Sequence, residues 1–307
     1  MNSEKFVQIY EMGPRDGLQN EKTPVPPAAK IQYIHALADA GHTRIEATSF
    51  VRPGVIPQLS DAHEVYSAIE KEKYPDVMFM ALTPNLKGLE NGLAVGLQEA
   101  AVFTAASESF TKKNINASIA ESLERFGPVM QRAGEAGIPV RGYVSTVVEC
   151  PYEGRIEPAA VLEVCQRLLD LGVYQISLGE TIGVAVPDDV ARLLDMLCKT
   201  IAPEKLAGHF HDTRGTALAN VLRALNDYGL RVFDASSGGL GGCPYAPGAA
   251  GNLATEDLVY TLHRSGYETG LDLEKLARAT AGISEALGRT PSGRVYLACQ
   301  TRLATNP

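Results

Sequence analysis

The chain has 307 residues, of which 45% are hydrophobic and 21% charged, and its formal net charge is −8. This is the balance of a globular protein, and the negative net charge argues against nucleic acids and anionic membranes as partners, because both select basic patches. The N-terminus lacks a basic segment followed by an apolar run, so we expect a cytoplasmic protein without a membrane span. Five scattered cysteines without a Cys-x-x-Cys pair favour reduced thiols.

Short apolar or β-branched segments alternate with amphipathic segments along the whole chain. Eight of them predict strands, at 6–11, 43–50, 77–82, 99–105, 140–146, 174–178, 206–211 and 232–236. They read as continuous apolar runs, which is typical of a parallel sheet covered on both faces. The segments between them predict helices, chiefly at 27–40, 58–72, 114–136, 158–171, 187–200 and 215–228.

A strand followed by a helix, repeated eight times, predicts an α/β fold of the (β/α)8 TIM-barrel type. A doubly wound open sheet is the alternative, because strands are easily miscounted in a single sequence. Helical patterns at 254–265 and 272–287 follow the last strand, and a tail begins at about 290. We therefore predict one catalytic domain over 1–307, with the barrel at about 5–268 and a short C-terminal helical extension at about 269–307.

Polar residues gather where the predicted strands end, which is where TIM barrels carry their active sites. They are Arg15 and Asp16 after the first strand, Glu46 within the second, Glu180 after the sixth, His209 and His211 at the end of the seventh, and Cys243 and Asn252 after the eighth.

His209 and His211 predict a metal site. Because they are two positions apart on a strand, both imidazoles share one face while Phe210 takes the other. Together with the Asp16 carboxylate and the Asn252 amide oxygen they form an octahedral cation site with positions left for a substrate. Histidines that are only hydrogen-bonded in the core are the alternative.

The segment 238–252, GGLGGCPYAPGAAGN, places Cys243 in a glycine-rich loop. Glycines accept backbone angles closed to other residues and let the chain approach a ligand closely. Long loops of compact domains are often lids or binding loops, so the pattern favours a catalytic thiol. A tight connection, with Cys243 as a small buried hydrophobe, is the alternative.

Three charged residues have interpretations of their own. The planar guanidinium of Arg15 suits a substrate carbonyl oxygen on which negative charge develops, with a structural salt bridge as the alternative. Glu46 is interpreted as orienting Arg15 or a metal-site histidine, with a general base as the alternative. Glu180 stays open between an acid–base group, an orienting group and a helix-entry charge.

Several long motifs, in one order, resemble the 3-hydroxy-3-methylglutaryl-CoA lyases, within the metal-dependent TIM-barrel lyases and condensing synthases. The resemblance runs from Gln8 to about Gly270. The motifs are GPRDGLQNE at 13–21, EATSFV at 46–51, CPYEG at 150–154, HFHDT at 209–213 and GLGGCPY at 239–245, followed by GNLATEDLVY at 251–260.

The resemblance implies a role for each candidate residue. Asp16, His209, His211 and Asn252 would be the ligands of Mg²⁺ or Mn²⁺. Arg15 would contact the thioester or enolate oxygen, Cys243 would take part in proton transfer, and Glu46 matches an active-site carboxylate. Gln19 and Lys22 would belong to a substrate-facing loop.

The implied reaction is the cleavage of 3-hydroxy-3-methylglutaryl-CoA to acetyl-CoA and acetoacetate by a homodimer, in leucine degradation and ketone body formation. Two departures bear on the acyl-CoA substrate: Glu180 stands where the family usually has Asp, and Arg214 where it usually has Tyr. The alternatives are a lyase for a related branched 3-hydroxyacyl-CoA, a synthase that condenses acetyl-CoA with a 2-oxo acid, and a metal-binding scaffold without turnover.

Overall fold

The computed structural model describes residues 5–52, 54–241 and 251–305, with side chains as far as residue 300. The strands in this part of the chain are β1 (Gln8–Glu11), β2 (Arg44–Ser49), β3 (Met78–Leu82), β4 (Glu99–Ala105), β5 (Val140–Ser145), β6 (Glu149–Cys150), β7 (Gly154–Arg155), β8 (Ile176–Glu180), β9 (Leu206–Phe210) and β10 (Val232–Ala235). Eight of them close into a parallel barrel in the order β1-β10-β9-β8-β5-β4-β3-β2, while β6 and β7 form an antiparallel hairpin. The predicted TIM barrel is therefore confirmed, and the open-sheet alternative is wrong.

Helices surround the barrel. They are α1 (Pro27–Asp39), α2 (Ala62–Ser67), α3 (Leu86–Leu93), α4 (Glu108–Ile115), α5 (Ile119–Ala136), α6 (Pro158–Asp170), α7 (Pro187–Leu197), α8 (Ala217–Tyr228), α9 (Thr255–Arg264), α10 (Leu273–Leu287) and α11 (Arg294–Thr305). Among the described residues, no helix is both long and apolar enough to cross a membrane.

The main core lies between the strands and the helices. Strand residues such as Ile9, Ile45 and Phe210 belong to one buried apolar cluster with helix residues such as Leu37 and Leu225. A second, smaller cluster fills the barrel interior and contains Tyr10, Met12, Met80, Ala101 and Tyr143. Successive strand residues therefore alternate between the two clusters, as the two-residue period of a strand requires.

The observed elements differ from the predicted ones in a few places. The sixth barrel strand runs over Ile176–Glu180, two residues later than the predicted 174–178. The predicted helix at 114–136 is two helices, because Asn116 adopts a left-handed conformation (φ 49°) that ends α4, and Ser118 begins α5 with a capping box.

The C-terminal extension packs against the end of the barrel where the predicted site residues lie. Both carboxylate oxygens of Asp257 accept backbone N–H groups of the first turn of α11, from Arg294 at 3.1 Å and Val295 at 2.6 Å. Gly293 donates to the carbonyl oxygen of Gly238 at 2.9 Å. Helix α11 therefore starts directly beside the turn that follows β10.

Candidate active site

Arg15 and Asp16 lie in a single π-helical turn, Gly13–Gly17, directly after β1. Gly17 donates to the carbonyl oxygen of Met12 at 3.1 Å, five residues earlier, and so closes the turn. Isolated π turns are uncommon and are often found at functional sites. This turn places two adjacent charged side chains at the C-terminal end of the barrel.

A group that we name the cation cluster lies at this end of the barrel. It consists of Asp16, His209 and His211. One possible ligand atom from each residue lies within 4.8 Å of the other two. The two imidazole centroids are 5.4 Å apart, and Phe210 between them packs in the outer core, as the strand period predicts. Asn252 adjoins the cluster, because its Nδ2 donates to Oδ2 of Asp16 at 2.7 Å. The structure therefore unites the four residues predicted as metal ligands.

The chemistry of the cation cluster fits a divalent metal ion. Nδ1 of His211 is buried without a hydrogen-bond partner among the described residues. Burial and the neighbouring His209 lower the pKa of His211 to about 4, so its imidazole is neutral at physiological pH. Burial alone would raise the pKa of Asp16, but the charges of Arg15 and His209 outweigh it and lower that pKa. A neutral imidazole and an ionised carboxylate are the states in which these groups bind metals.

Arg15 is held between two carboxylates. Its Nε donates to Oε2 of Glu46 at 2.5 Å and its Nη1 to Oδ1 of Asp16 at 2.6 Å. The hydroxyl of Tyr143 donates to the other Glu46 oxygen at 3.0 Å, from across the barrel. Glu46 therefore contacts Arg15 directly, and the guanidinium keeps further N–H donors for a ligand oxygen.

The remaining predicted residues divide into those that join this group and those that do not. Nε2 of Gln19 donates to Oδ1 of Asp16 at 2.7 Å, so Gln19 helps to fix that carboxylate. Lys22 is exposed on the segment that follows. Cys243 lies outside the described residues.

Glu180 is buried at the end of β8 but turns away from the barrel axis. It shares a strand face with Leu178, which packs in the outer core, whereas Ser177 faces the interior. Its Oε1 accepts the backbone N–H of Val184 at 3.1 Å. Burial raises the pKa of Glu180 to about 7. The structure thus joins Glu180 to the loop after β8 rather than to the cation cluster.

Arg214 contacts the same loop. Its Nη1 donates to the carbonyl oxygens of Ile182 at 2.9 Å and Gly183 at 3.0 Å. Glu180 and Arg214, two of the residues that depart from the family pattern, therefore both contact the short segment between β8 and α7.

Sequence reasoning missed the polar residues inside the barrel. Asp234 on β10 lies in register with His209 on β9, and its Oδ2 is 3.2 Å from His209 Nδ1. Arg141 on β5 donates to Oδ1 of Asp234 at 2.8 Å, and Ser177 on β8 donates to Oδ2 at 2.6 Å. The alternation of Arg141 and Tyr143 with apolar neighbours was the available signal that these side chains face the axis.

A cleft of about 390 Å³ opens beside Asn252, between the loop after β9 and the start of α11. Its polar lining includes Asp212, Arg214, Asp257 and Arg294. Nη1 of Arg294 lies 3.2 Å from Oδ2 of Asp212 and so bridges the C-terminal extension to the barrel. The extension therefore contributes a wall next to the candidate active site.

Close packing requires a glycine at position 241, which lies within the glycine-rich segment 238–252. Its φ is +102°, a left-handed angle, and a Cβ at this position would lie 2.5 Å from Nδ2 of Asn252. Since Asn252 donates to Asp16, a side chain at position 241 would displace the group beside the cation cluster.

Comparisons with known proteins identify the family of this chain. A family model described as HMGL-like matches residues 6–283. The mitochondrial hydroxymethylglutaryl-CoA lyase of Bos taurus is 53% identical over 291 residues, which make up 95% of this chain and 89% of that protein. The structure of hydroxymethylglutaryl-CoA lyase from Pseudomonas aeruginosa has a TM-score of 0.94 and 46% identity, covering 97% of this chain and 98% of the other.

A further solved relative carries ligands. It is an HMG-CoA lyase from Acinetobacter baumannii in complex with coenzyme A and 3-methylmalate, with a TM-score of 0.91 and 38% identity, covering 97% of this chain and 96% of the other. Both the family model and the relatives extend over nearly the whole chain. The chain belongs to the HMGL-like family, the family that its motifs indicate.

Proposed function

We propose that the protein is a divalent-metal-dependent lyase that cleaves 3-hydroxy-3-methylglutaryl-CoA to acetyl-CoA and acetoacetate. The observation that carries this proposal is the cation cluster of Asp16, His209 and His211 lying against the Arg15 guanidinium, at the C-terminal end of a barrel of this family. Such a site places ligands for a metal ion beside an oriented guanidinium. The cleavage of a thioester with a tertiary alcohol at its β carbon requires both.

The reaction breaks the C2–C3 bond of the substrate. The C3 hydroxyl loses its proton and becomes the ketone of acetoacetate, while the bonding electrons pass to C2 and form the thioester enolate of acetyl-CoA. A divalent ion held by Asp16, His209, His211 and Asn252 would supply Lewis acidity that lowers the pKa of the hydroxyl. The Asp16 carboxylate keeps lone pairs beyond the one that would bind the ion, and it is the basic group that accepts that proton.

Arg15 stabilises the negative charge that develops on the thioester oxygen. Burial tends to lower the pKa of Arg15, but the charges of Glu46 and Asp16 outweigh it and raise that pKa, so the guanidinium stays ionised. Glu46 and Tyr143 fix its orientation before a substrate binds. A charge that is already oriented stabilises a transition state without the cost of reorganising at that moment.

Cys243 completes the reaction in this proposal by delivering a proton to C2 of the enolate. The support is its place in the glycine-rich loop between Gly241 and Asn252. Because Asn252 contacts Asp16, that loop ends at the cation cluster.

The proposal extends to the metal ion, the substrate class and the assembly of the protein. We take the ion to be Mg²⁺ or Mn²⁺, since carboxylate, amide and imidazole ligands suit both. An acyl-CoA substrate is supported by the relative that binds coenzyme A. A single domain over 1–307, a homodimer and a cytoplasmic location follow from the sequence resemblance and composition, and so does a place in leucine degradation and ketone body formation.

A substrate panel tests the proposal against its alternatives. We expect kcat/KM to be highest for 3-hydroxy-3-methylglutaryl-CoA and at least tenfold lower for 3-hydroxyglutaryl-CoA, which lacks one methyl group, because one group of this size is worth roughly 10–200-fold in a fitted pocket. A higher kcat/KM for another branched 3-hydroxyacyl-CoA would show that the proposed substrate is wrong. Condensation of acetyl-CoA with a 2-oxo acid, without cleavage, would show that the proposed reaction is wrong.

A further inference from the structure

The two histidines of the cation cluster differ in what holds them. Nδ1 of His209 lies 3.2 Å from Oδ2 of Asp234, the residue in register with it on the neighbouring strand. Nδ1 of His211 is buried without a hydrogen-bond partner among the described residues. Of these two histidines, only His209 therefore has a carboxylate that contacts its Nδ1.

Both carboxylate oxygens of Asp234 have polar partners. Its side chain is fully buried, and Nη2 of Arg141 donates to Oδ1 at 2.8 Å. The hydroxyl of Ser177 donates to Oδ2 at 2.6 Å, the same oxygen that faces His209. Because the Arg141 guanidinium can only donate and the Ser177 hydroxyl donates here as well, Asp234 is an ionised acceptor that can take a hydrogen bond from Nδ1 of His209.

Arg141 is anchored by the barrel interior and not by the cation cluster. Its Nε donates to Oε1 of Gln175 at 3.1 Å, and its guanidinium carbon lies 4.0 Å from the centroid of the Tyr10 ring. The side chain is fully buried. A buried ion pair seldom gains much stability over apolar packing, so stability alone does not explain the presence of Arg141 and Asp234 inside the barrel.

We propose that Asp234 is a positioning residue that places the proton of neutral His209 on Nδ1 and so presents Nε2 to the divalent cation, while Arg141 and Ser177 hold Asp234 in place. The assignment rests on the cation site of the proposed function. A metal-binding histidine whose second nitrogen donates to a carboxylate keeps one tautomer and one ring orientation, and loss of that carboxylate typically weakens metal binding 10–100-fold.

The first test needs neither a metal ion nor activity. Long-range ¹H–¹⁵N spectra of the metal-free wild-type protein, with ¹⁵N-labelled histidine and at a pH where the ring is neutral, report which nitrogen carries the proton. The His209 signals are assigned by their loss in His209→Gln. We expect the proton on Nδ1, and a proton on Nε2 would overturn the proposal. This outcome does not depend on whether the protein is a lyase.

The second test compares Mn²⁺ dissociation constants of Asp234→Asn and of Asp195→Asn, a matched change at an exposed carboxylate that accepts the hydroxyl of Tyr228. We expect binding to weaken 10–100-fold in Asp234→Asn and to stay within twofold of the wild type in Asp195→Asn. A folded Asp234→Asn protein with wild-type affinity would contradict the proposal.

A milder variant covers the case in which Asp234→Asn does not fold. Ser177→Ala removes one hydrogen bond to Oδ2 and keeps the ion pair with Arg141. We expect a threefold or greater weakening of Mn²⁺ binding and a shift of the His209 ring nitrogen signals, and unchanged values for both would overturn the proposal. Loss of cleavage activity in a wild type that keeps the expected tautomer would count against the proposed function alone.

Discussion

Asn252 donates a 2.7 Å hydrogen bond from Nδ2 to Oδ2 of Asp16, a residue 236 positions earlier in the chain. Asp16 follows β1 and Asn252 follows β10, and these two strands pair to close the barrel. The contact therefore exists only when the two ends of the sheet have met. This hydrogen bond connects the last residue of the glycine-rich segment to the turn that carries Arg15.

Replacement of Asn252 by Ala should weaken cation binding at least tenfold, because it removes an amide ligand and releases Asp16 from one of its donors. Titration of the metal-free protein with Mn²⁺ measures the affinity. Asn226→Ala, on an exposed amide that accepts the hydroxyl of Tyr267, is the matched control and should leave the affinity unchanged. Equal affinities of the two variants would show that Asn252 does not contribute to the cation site.

Replacement of Arg15 by Gln should lower kcat on the order of 10²–10³-fold, the usual effect of removing a donor to a developing oxyanion. Arg15→Lys should recover only part of the rate, because an ammonium lacks the planar fork that contacts Glu46 and Asp16 together. Steady-state kinetics on 3-hydroxy-3-methylglutaryl-CoA measure both variants.

A double variant separates catalysis from stability at this position. Arg15→Gln alone leaves the fully buried Glu46 without its cation, so the free energy of unfolding should fall as well. Adding Glu46→Gln should restore much of the stability without restoring kcat. If the double variant regains activity together with stability, Arg15 has only a structural role.

Replacement of Cys243 by Ala should abolish most turnover and leave cation affinity nearly unchanged, since the thiol is proposed to move a proton and not to bind the metal. Turnover assays and Mn²⁺ titration of the same preparation give the two quantities. Wild-type turnover in this variant would remove the thiol from the mechanism.

Replacement of Glu180 by Asp should keep kcat/KM within tenfold of the wild type or improve it. The shorter side chain retains a carboxylate for the loop after β8, and Asp is the residue that the family pattern usually has here. Glu180→Leu is the contrasting variant. It has no carboxylate, so the N–H of Val184 loses the oxygen that accepts its hydrogen bond. A loss above tenfold in Glu180→Asp would mean that this position sets substrate geometry.

The pH dependence of stability should report Glu256, a buried carboxyl that contacts the first residue of the glycine-rich segment, Gly238. It accepts the N–H of Gly238 at 2.7 Å and the hydroxyl of Thr280 at 2.5 Å. Burial raises the pKa of Glu256 from 4.5 to about 7 in the folded protein. Between these values the folded state holds a proton that the unfolded state has released, so stability falls as pH rises.

Glu256→Gln should remove this part of the slope, at most about 1.4 kcal/mol per pH unit, because Gln is neutral in both states. Urea unfolding at pH 5, 6 and 7 measures the slope. The variant should keep part of the slope, because burial also raises the pKa of Glu11, to about 8. Identical slopes for the variant and the wild type would show that Glu256 is ionised in the folded protein.

The barrel was predictable because each strand is a local pattern. All eight predicted strands are present, and the largest shift, at Ile176–Glu180, reversed the expected place of Glu180 from after the strand to its last residue. The helix at Leu86–Leu93 was not anticipated. It contains two glycines and depends on Asn85, whose side chain accepts the N–H of Gly88 and caps its start.

The candidate site was predictable only in part. Asp16, His209 and His211 stand at strand ends, where the fold itself marks them as functional. Asp234 and Arg141 are single polar residues within short apolar strands, and their partners lie on other strands, so their roles arise only when β5, β8, β9 and β10 are side by side.

The central claim is tested most directly by incubating the purified protein with 3-hydroxy-3-methylglutaryl-CoA and measuring acetoacetate and acetyl-CoA together. With Mg²⁺ or Mn²⁺ we expect the two products in a one-to-one ratio at an ordinary enzymatic rate. A chelator should stop the reaction, and added cation should restore it. Absence of both products from a folded protein with its cation bound would contradict the account.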